Sequence, residues 1–139
     1  MKKFPTYVGL GKGFDMPKCR VLVVDDDTTF RDSLVEFLNA KDYEAYRAFD
    51  GIDALVKTFG GSPQFVIWAL PRPEHWGFDF LTHIKRTQPS VLVIACSDDK
   101  SDERTFSANA DRIFPKQHWT EGELLACLEE LKSKHIPAA

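Results

Sequence analysis

Three carboxylates in a row, Asp25, Asp26 and Asp27, follow directly on the apolar run Val21-Leu22-Val23-Val24. Clustered carboxylates hold a hard divalent cation such as Mg²⁺, and such a cation neutralises phosphoryl oxygens during in-line transfer. Three further apolar runs end in a similar way. Phe65-Val66-Ile67-Trp68 stops at Ala69, the run from Val91 to Cys96 stops at the hydroxyl of Ser97, and the short Ile113-Phe114 is followed by Lys116. In open α/β sheets, ligands bind outside the carboxyl ends of the strands, at the switch in strand order. Asp25, Asp26, Ala69, Ser97 and Lys116 all sit at such ends, so an acid cluster, a hydroxyl and a lysine converge on one pocket. A helix N-terminus also favours acids through its dipole, and that plainer account suits Asp27 better than Asp25 or Asp26.

The elements that position these residues alternate. From Cys19 onward the first strand, about residues 20 to 25, is continuously apolar, as expected when helices cover both faces. Asp27 or Thr28 can cap a helix with Phe30, Leu34, Phe37 and Leu38 on one face. Tyr43 to Phe49 reads as an edge-ward strand. Ile52, Leu55, Val56 and Phe59 give a short amphipathic helix stopped by Gly60-Gly61, and the phenylalanines of the helices (Phe30, Phe37, Phe59, Phe78) are read as core. The Phe65 to Ala69 strand leads to a Pro-rich loop and a helix with Phe78, Leu81 and Ile84 inward. Val91 to Cys96 is a buried strand, residues 98 to 108 form a weak polar helix, and a short strand lies near Arg112 to Phe114. Thr120-x-x-Glu123 is a capping box that opens a last helix with Leu124, Leu125, Leu128 and Leu131 facing the core. Five βα units with right-handed crossovers make an α/β fold, a doubly wound parallel sheet.

Size and composition narrow the function classes. With 139 residues the chain is one domain by length. A net charge of -3 without Lys or Arg runs argues against nucleic-acid or membrane-surface binding. No apolar stretch approaches the ~20 residues of a membrane span, and the expected location is the cytoplasm. Cys19, Cys96 and Cys127 form no CxxC pair and read as small hydrophobes in a reducing compartment. His75, His83, His118 and His135 lack zinc-like spacing. The chain divides into a flexible leader over 1–17, a single domain over 18–135 and a tail over 136–139. The Gly9-x-Gly11-x-Gly13 spacing in the leader lacks the preceding strand that a phosphate loop needs.

The acid pair at the first strand end, the Ser97 hydroxyl and Lys116 resemble the phosphorylation pocket of bacterial response-regulator receiver domains, and residues 19 to 134 resemble a receiver throughout. The resemblance implies a flavodoxin-like five-stranded sheet in the order 2-1-3-4-5 with five flanking helices. It makes Asp25 and Asp26 the metal pair, and Ala69 the position of the aspartate that takes the phosphoryl group. Ser97 would hydrogen-bond a phosphoryl oxygen, and Lys116 would pair with the acceptor and then with the phosphoryl group. A methyl group is neither nucleophile nor metal ligand, so Ala69 excludes phosphorylation there and leaves Mg²⁺ weakly held. No cofactor is required. Lys116, without its carboxylate partner, is expected to turn to Asp25 or Asp26.

Other positions depart from the family in the same direction. Asp98 and Asp99 follow the hydroxyl where a small apolar residue is usual, and they would repel a phosphodonor. Ile113 replaces the switch aromatic, Gln117 replaces the proline after the lysine, and Trp76 replaces an acid before the glycine. Trp68 is bulky for a place beside the pocket. An engineered Asp-to-Ala change in an ordinary receiver would account for Ala69 alone, so the wider drift favours a natural pseudo-receiver. A rival from another class reads Asp25 as nucleophile and Asp27 as acid/base of a haloacid-dehalogenase-like phosphatase. That family needs a further acidic pair at a strand end after the lysine, and here only Glu121, Glu123 and Glu129-Glu130 follow, all on a helix.

The expected work is therefore protein binding by a non-enzyme of a two-component phosphorelay, with a histidine kinase, an output domain or another signalling protein as partner. The resemblance places the signalling face at about residues 100 to 134, with Arg104, Phe106, Arg112, Trp119 and Glu123 as contact residues and a homodimer through the same face as one outcome. Pro71, Pro73 and Trp76, in the loop beside the pocket, form a second candidate surface.

Overall fold

In the computed structural model, which describes residues 18–69, 80–98, 109–116 and 120–135, the most apolar runs are central strands. β1 (Arg20–Val24), β3 (Phe65–Trp68) and β4 (Leu92–Cys96) are almost wholly buried. Helices cover both faces of these strands, so no alternation of polar and apolar residues is required. β2 (Glu44–Ala48) and β5 (Arg112–Phe114) are the more polar edges. All pairings are parallel and the order is β2-β1-β3-β4-β5, the doubly wound sheet expected from the sequence.

Two cores lie on opposite faces. On one, Val21, Val23, Ile67 and Ile94 pack against Leu34, Val35 and Leu38 of α1 (Thr28–Ala40). Leu124, Cys127, Leu128 and Leu131 of the last helix, α4 (Glu121–His135), complete that core. On the other, Leu22, Val24, Val66 and Trp68 pack against Ala54 of α2 (Gly51–Gly61) and Phe80, Leu81 and Ile84 of α3 (Phe80–Thr87). Four helices lie among the described residues; the fifth, expected at 98–108, falls beyond Asp98 outside them, as do the leader, the Pro-rich loop and the tail.

Caps follow the sequence. The Asp27 carboxylate accepts from the amides of Thr29 and Phe30 at the start of α1. At α4 the Thr120 amide donates to Glu123 Oε1 at 2.7 Å, and the Glu123 amide donates to Thr120 Oγ1 at 3.1 Å, the reciprocal capping box.

Helix α2 corrects two expectations. It continues through Gly60 and Gly61 and ends at Ser62, whose φ of 50° is left-handed. Its inner face consists of Gly51, Ala54 and Thr58, the last with its hydroxyl donating to Ala54 O at 2.7 Å. Ile52, Val56 and Phe59 face outward and are 66%, 65% and 57% exposed. The reason is volume: Trp68 and Phe80 stack in parallel with ring centroids 4.9 Å apart, and a close-packed interior then leaves room only for small residues from α2. Gly61 meets the same limit, because a Cβ there would overlap the Tyr46 ring.

Candidate functional site

Asp25 is the first residue beyond β1. Its amide donates to Ala48 O at 3.1 Å, which extends the ladder and fixes the side chain at the carboxyl edge. The residue is fully buried. Oδ1 accepts from the Asp27 amide at 3.2 Å, and Oδ2 lies 3.0 Å from Lys116 Nζ. Lys116 arrives from just past β5 and also donates to the carbonyl of Ala69, at 3.2 Å. Its ammonium is 5.1 Å from the centroid of the Phe30 ring. Ala69 is held against β1 by its amide, which donates to Val24 O at 2.9 Å. Ser97, half-buried at the end of β4, donates its amide to Phe114 O at 3.0 Å. The structure therefore brings Asp25, Ala69, Ser97 and Lys116 to one edge of the sheet, while Asp26 points outward and is exposed.

Burial pushes the Asp25 carboxyl above its ordinary range, and the Lys116 ammonium and the Asp27 amide pull it back only in part. Burial likewise lifts the neighbouring Cys96 thiol to about 12, so it stays protonated and inert. A divalent cation does not fit this arrangement well. Asp25 is already neutralised by Lys116, Asp26 is turned to solvent, and no group of three or more His, Cys, Asp or Glu side chains among the described residues could hold a metal ion. Asp27, the acid/base of the phosphatase reading, is occupied as the cap of α1.

Trp68 departs from its expected place. The strand alternates, so Trp68 points away from Ala69 into the opposite core. Two contributors escaped the sequence reading. Phe30 supplies the ring beside the ammonium, and the buried Arg31 donates from Nη1 to Asp25 O at 3.3 Å and pairs with Asp32 at 3.0 Å. The usable signal was that residues 31, 34, 35 and 38 share one helical face, so an arginine had to lie inward with three aliphatic residues. Of the expected contact residues, Arg112 pairs with Glu130 at 3.2 Å and Glu123 is exposed in its capping box. Arg104, Phe106, Trp119, Pro71, Pro73 and Trp76 lie outside the described residues.

Comparison with known proteins decides the family. The pattern described as the response regulator receiver domain matches residues 21–129. The chain belongs to the response-regulator receiver family. It is 31% identical over 121 residues to the response regulator MprA of Mycobacterium sp. (strain KMS), covering 85% of this chain and 52% of that protein. This receiver chain therefore spans about half the length of the curated relatives it matches. Among solved structures it is similar to the response regulator TrrA of Thermotoga maritima in complex with Mg²⁺ and BeF. That likeness has a TM-score of 0.71 and 28% identity, over 81% of this chain and 98% of the other. The fold is also that of a CheY-like receiver from Methanospirillum hungatei, with a TM-score of 0.75 and 23% identity over 85% of this chain and 96% of that one. Receiver domains belong to two-component systems, interact with kinases and output domains, and are generally not enzymes. No helix among the described residues is long and apolar enough to cross a membrane.

Proposed function

We propose that this receiver works as a protein-interaction module whose output does not depend on phosphoryl transfer at the position of Ala69. The observation that carries the reading is the ion pair between Lys116 and Asp25, closed beside a strand end that bears only a methyl group. In a site with an acceptor carboxylate, the lysine would face that carboxylate. Here it is matched to the carboxylate left over, and charge balance at the edge of the sheet is reached without a metal or a phosphoryl group. Mg²⁺ binding is correspondingly weak, since only Asp25 and Asp26 remain and one is already paired.

The partner-binding face in this reading is the one built around β5 and α4. A concavity of about 350 Å³ lies there, lined by Arg112, Phe114, Glu123, Cys127 and Glu130 among others. Its apolar floor and a rim of paired charges suit a protein ligand. A kinase or an output domain is the class of partner, and the expected compartment is the bacterial cytoplasm.

Treatment with acetyl phosphate or with beryllofluoride, each with Mg²⁺, followed by intact mass under native conditions, tests the proposal. The expected result is no added phosphoryl group and no beryllofluoride complex. A phosphoryl group mapped to Asp25, Asp26 or Ser97 would overturn it.

A further inference from the structure

Helix α2 turns its most apolar row to solvent. Ile52 and Val56 are about two-thirds exposed, and Phe59, though its ring meets His83 edge-on at 6.4 Å, is 57% exposed. Scattered exposed apolar residues are ordinary, whereas a contiguous patch of a few hundred Å² marks an interaction site. These three side chains leave on the order of 300 Å² open. Phe49, also exposed, is different in kind, because Arg31 and Lys57 both lie about 5.5 Å or less from its ring centroid.

Gly60 lies at the end of the same row. A Cβ there would meet nothing within 4 Å, so nothing within the described chain requires glycine, although glycine costs a helix about 1 kcal/mol relative to alanine. Gly61 has an internal reason in Tyr46, and Gly60 has none. The spacing of the row supplies one. Ile52, Val56 and Gly60 are four residues apart and symmetric about Val56. An antiparallel pair of α2 helices related by a twofold axis at Val56 sets Ile52 of each copy opposite Gly60 of the other, a side chain over a hole. Phe59 then flanks Ile52 of the second copy. The charges agree with this register: Asp53 and Lys57, paired at 3.3 Å within the helix, lie on one flank, where Asp53 also accepts from the Phe49 amide at 3.1 Å and Lys57 also donates to Arg47 O at 2.6 Å. The twofold operation brings Asp53 of one copy within a turn of Lys57 of the other, and equally the reverse. A self-complementary patch is what a twofold interface requires.

We infer that α2 is the self-association surface of this chain, with a second copy of the chain as its occupant, packed antiparallel about Val56. The area is well below the ~800 Å² per partner of a stable complex, so the dimer is reversible and forms at high concentration. This inference is independent of the state of the Asp25 pocket and places self-association on α2 instead of on residues 100 to 134.

Sedimentation velocity of the full chain from about 10 μM to about 1 mM tests it, since weak complexes dissociate within that range. The sedimentation coefficient should rise toward that of a dimer in the wild type and stay monomeric in Val56→Glu, with unchanged circular dichroism. Lys57→Glu should weaken association at least threefold, because acids then face acids across the twofold axis while Asp53 keeps its bond from the Phe49 amide. A monomer at every concentration overturns the inference, including the case in which residues 1–17 cover the row. So does association that survives Val56→Glu and is lost in Arg112→Glu, or association that Lys57→Glu leaves unmoved.

Discussion

Lys116 Nζ stands 3.0 Å from the fully buried Oδ2 of Asp25 and 3.2 Å from the carbonyl of Ala69. One ammonium thus ties the carboxyl ends of β1, β3 and the segment after β5. The two partners are unequal, because the lysine side chain keeps 21% of its surface open and the aspartate keeps none. Removing either one should therefore have different consequences.

Lys116→Met leaves a buried, uncompensated carboxylate and should cost about 3 kcal/mol of unfolding free energy at neutral pH. Asp25→Asn removes the buried charge and lets Lys116 extend into solvent, for a cost of ~1 kcal/mol or less. The double variant should recover most of the loss of Lys116→Met, a clear departure from additivity. Urea titrations of the four proteins check this, and equal costs for the two single variants would show that the pair is not desolvated.

The Asp25 carboxyl should titrate above 3.8, the ordinary value for an aspartate, because burial outweighs the lysine beside it. A group whose folded pKa is raised contributes most stability below its unfolded value and loses that contribution as pH rises through the folded value. The stability of wild type minus that of Asp25→Asn should therefore fall as pH rises from below 3.8 through the raised value. Carboxyl ¹³C shifts give the midpoint directly, and Lys116→Met should move it further up. A midpoint at or below 3.8 would mean that the ion pair dominates burial.

Ala69→Asp supplies the missing acceptor oxygen and a second carboxylate for Lys116. Slow labelling by acetyl phosphate and a small response in the amide spectrum of residues 100 to 134 are expected. Asp98 is exposed at the edge of the pocket and repels the donor, and Ile113 is not an aromatic switch. Rapid labelling with a large spectral change would mark the rest of the pocket as fully competent.

Gly60→Ala and Gly61→Ala should act in opposite directions in dilute protein. The first meets open space and should stabilise by up to ~1 kcal/mol through helix propensity. The second drives a methyl into the Tyr46 ring, to within 2.8 Å of Cζ, and should destabilise by roughly 1–3 kcal/mol. Thermal melts at low concentration compare them, and matching shifts would contradict the packing of α2 on β2.

The sequence alone determined the parallel sheet, the strand ends that carry Asp25, Ala69, Ser97 and Lys116, and the cap and capping box of the first and last helices. Each depends on local chemistry: an unbroken apolar run marks a strand covered on both faces, and side chains at the end of such a run have one place to go. Even the turn of Lys116 toward the acid pair Asp25-Asp26 was legible, since a cation beside a missing carboxylate seeks a remaining one. The tertiary structure decided what depends on volume and on direction. Ile52, Leu55, Val56 and Phe59 have a helical period that reads as an inward face. Trp68 and Phe80 fill that side of the sheet, so α2 rotates to bury Gly51, Ala54 and Thr58 and sends Ile52, Val56 and Phe59 outward. The choice between Asp25 and Asp26 was made in the same way. They are chemically identical and adjacent, and only the alternation of the strand, continued one residue past Val24 by the amide bond to Ala48, buries the first and exposes the second.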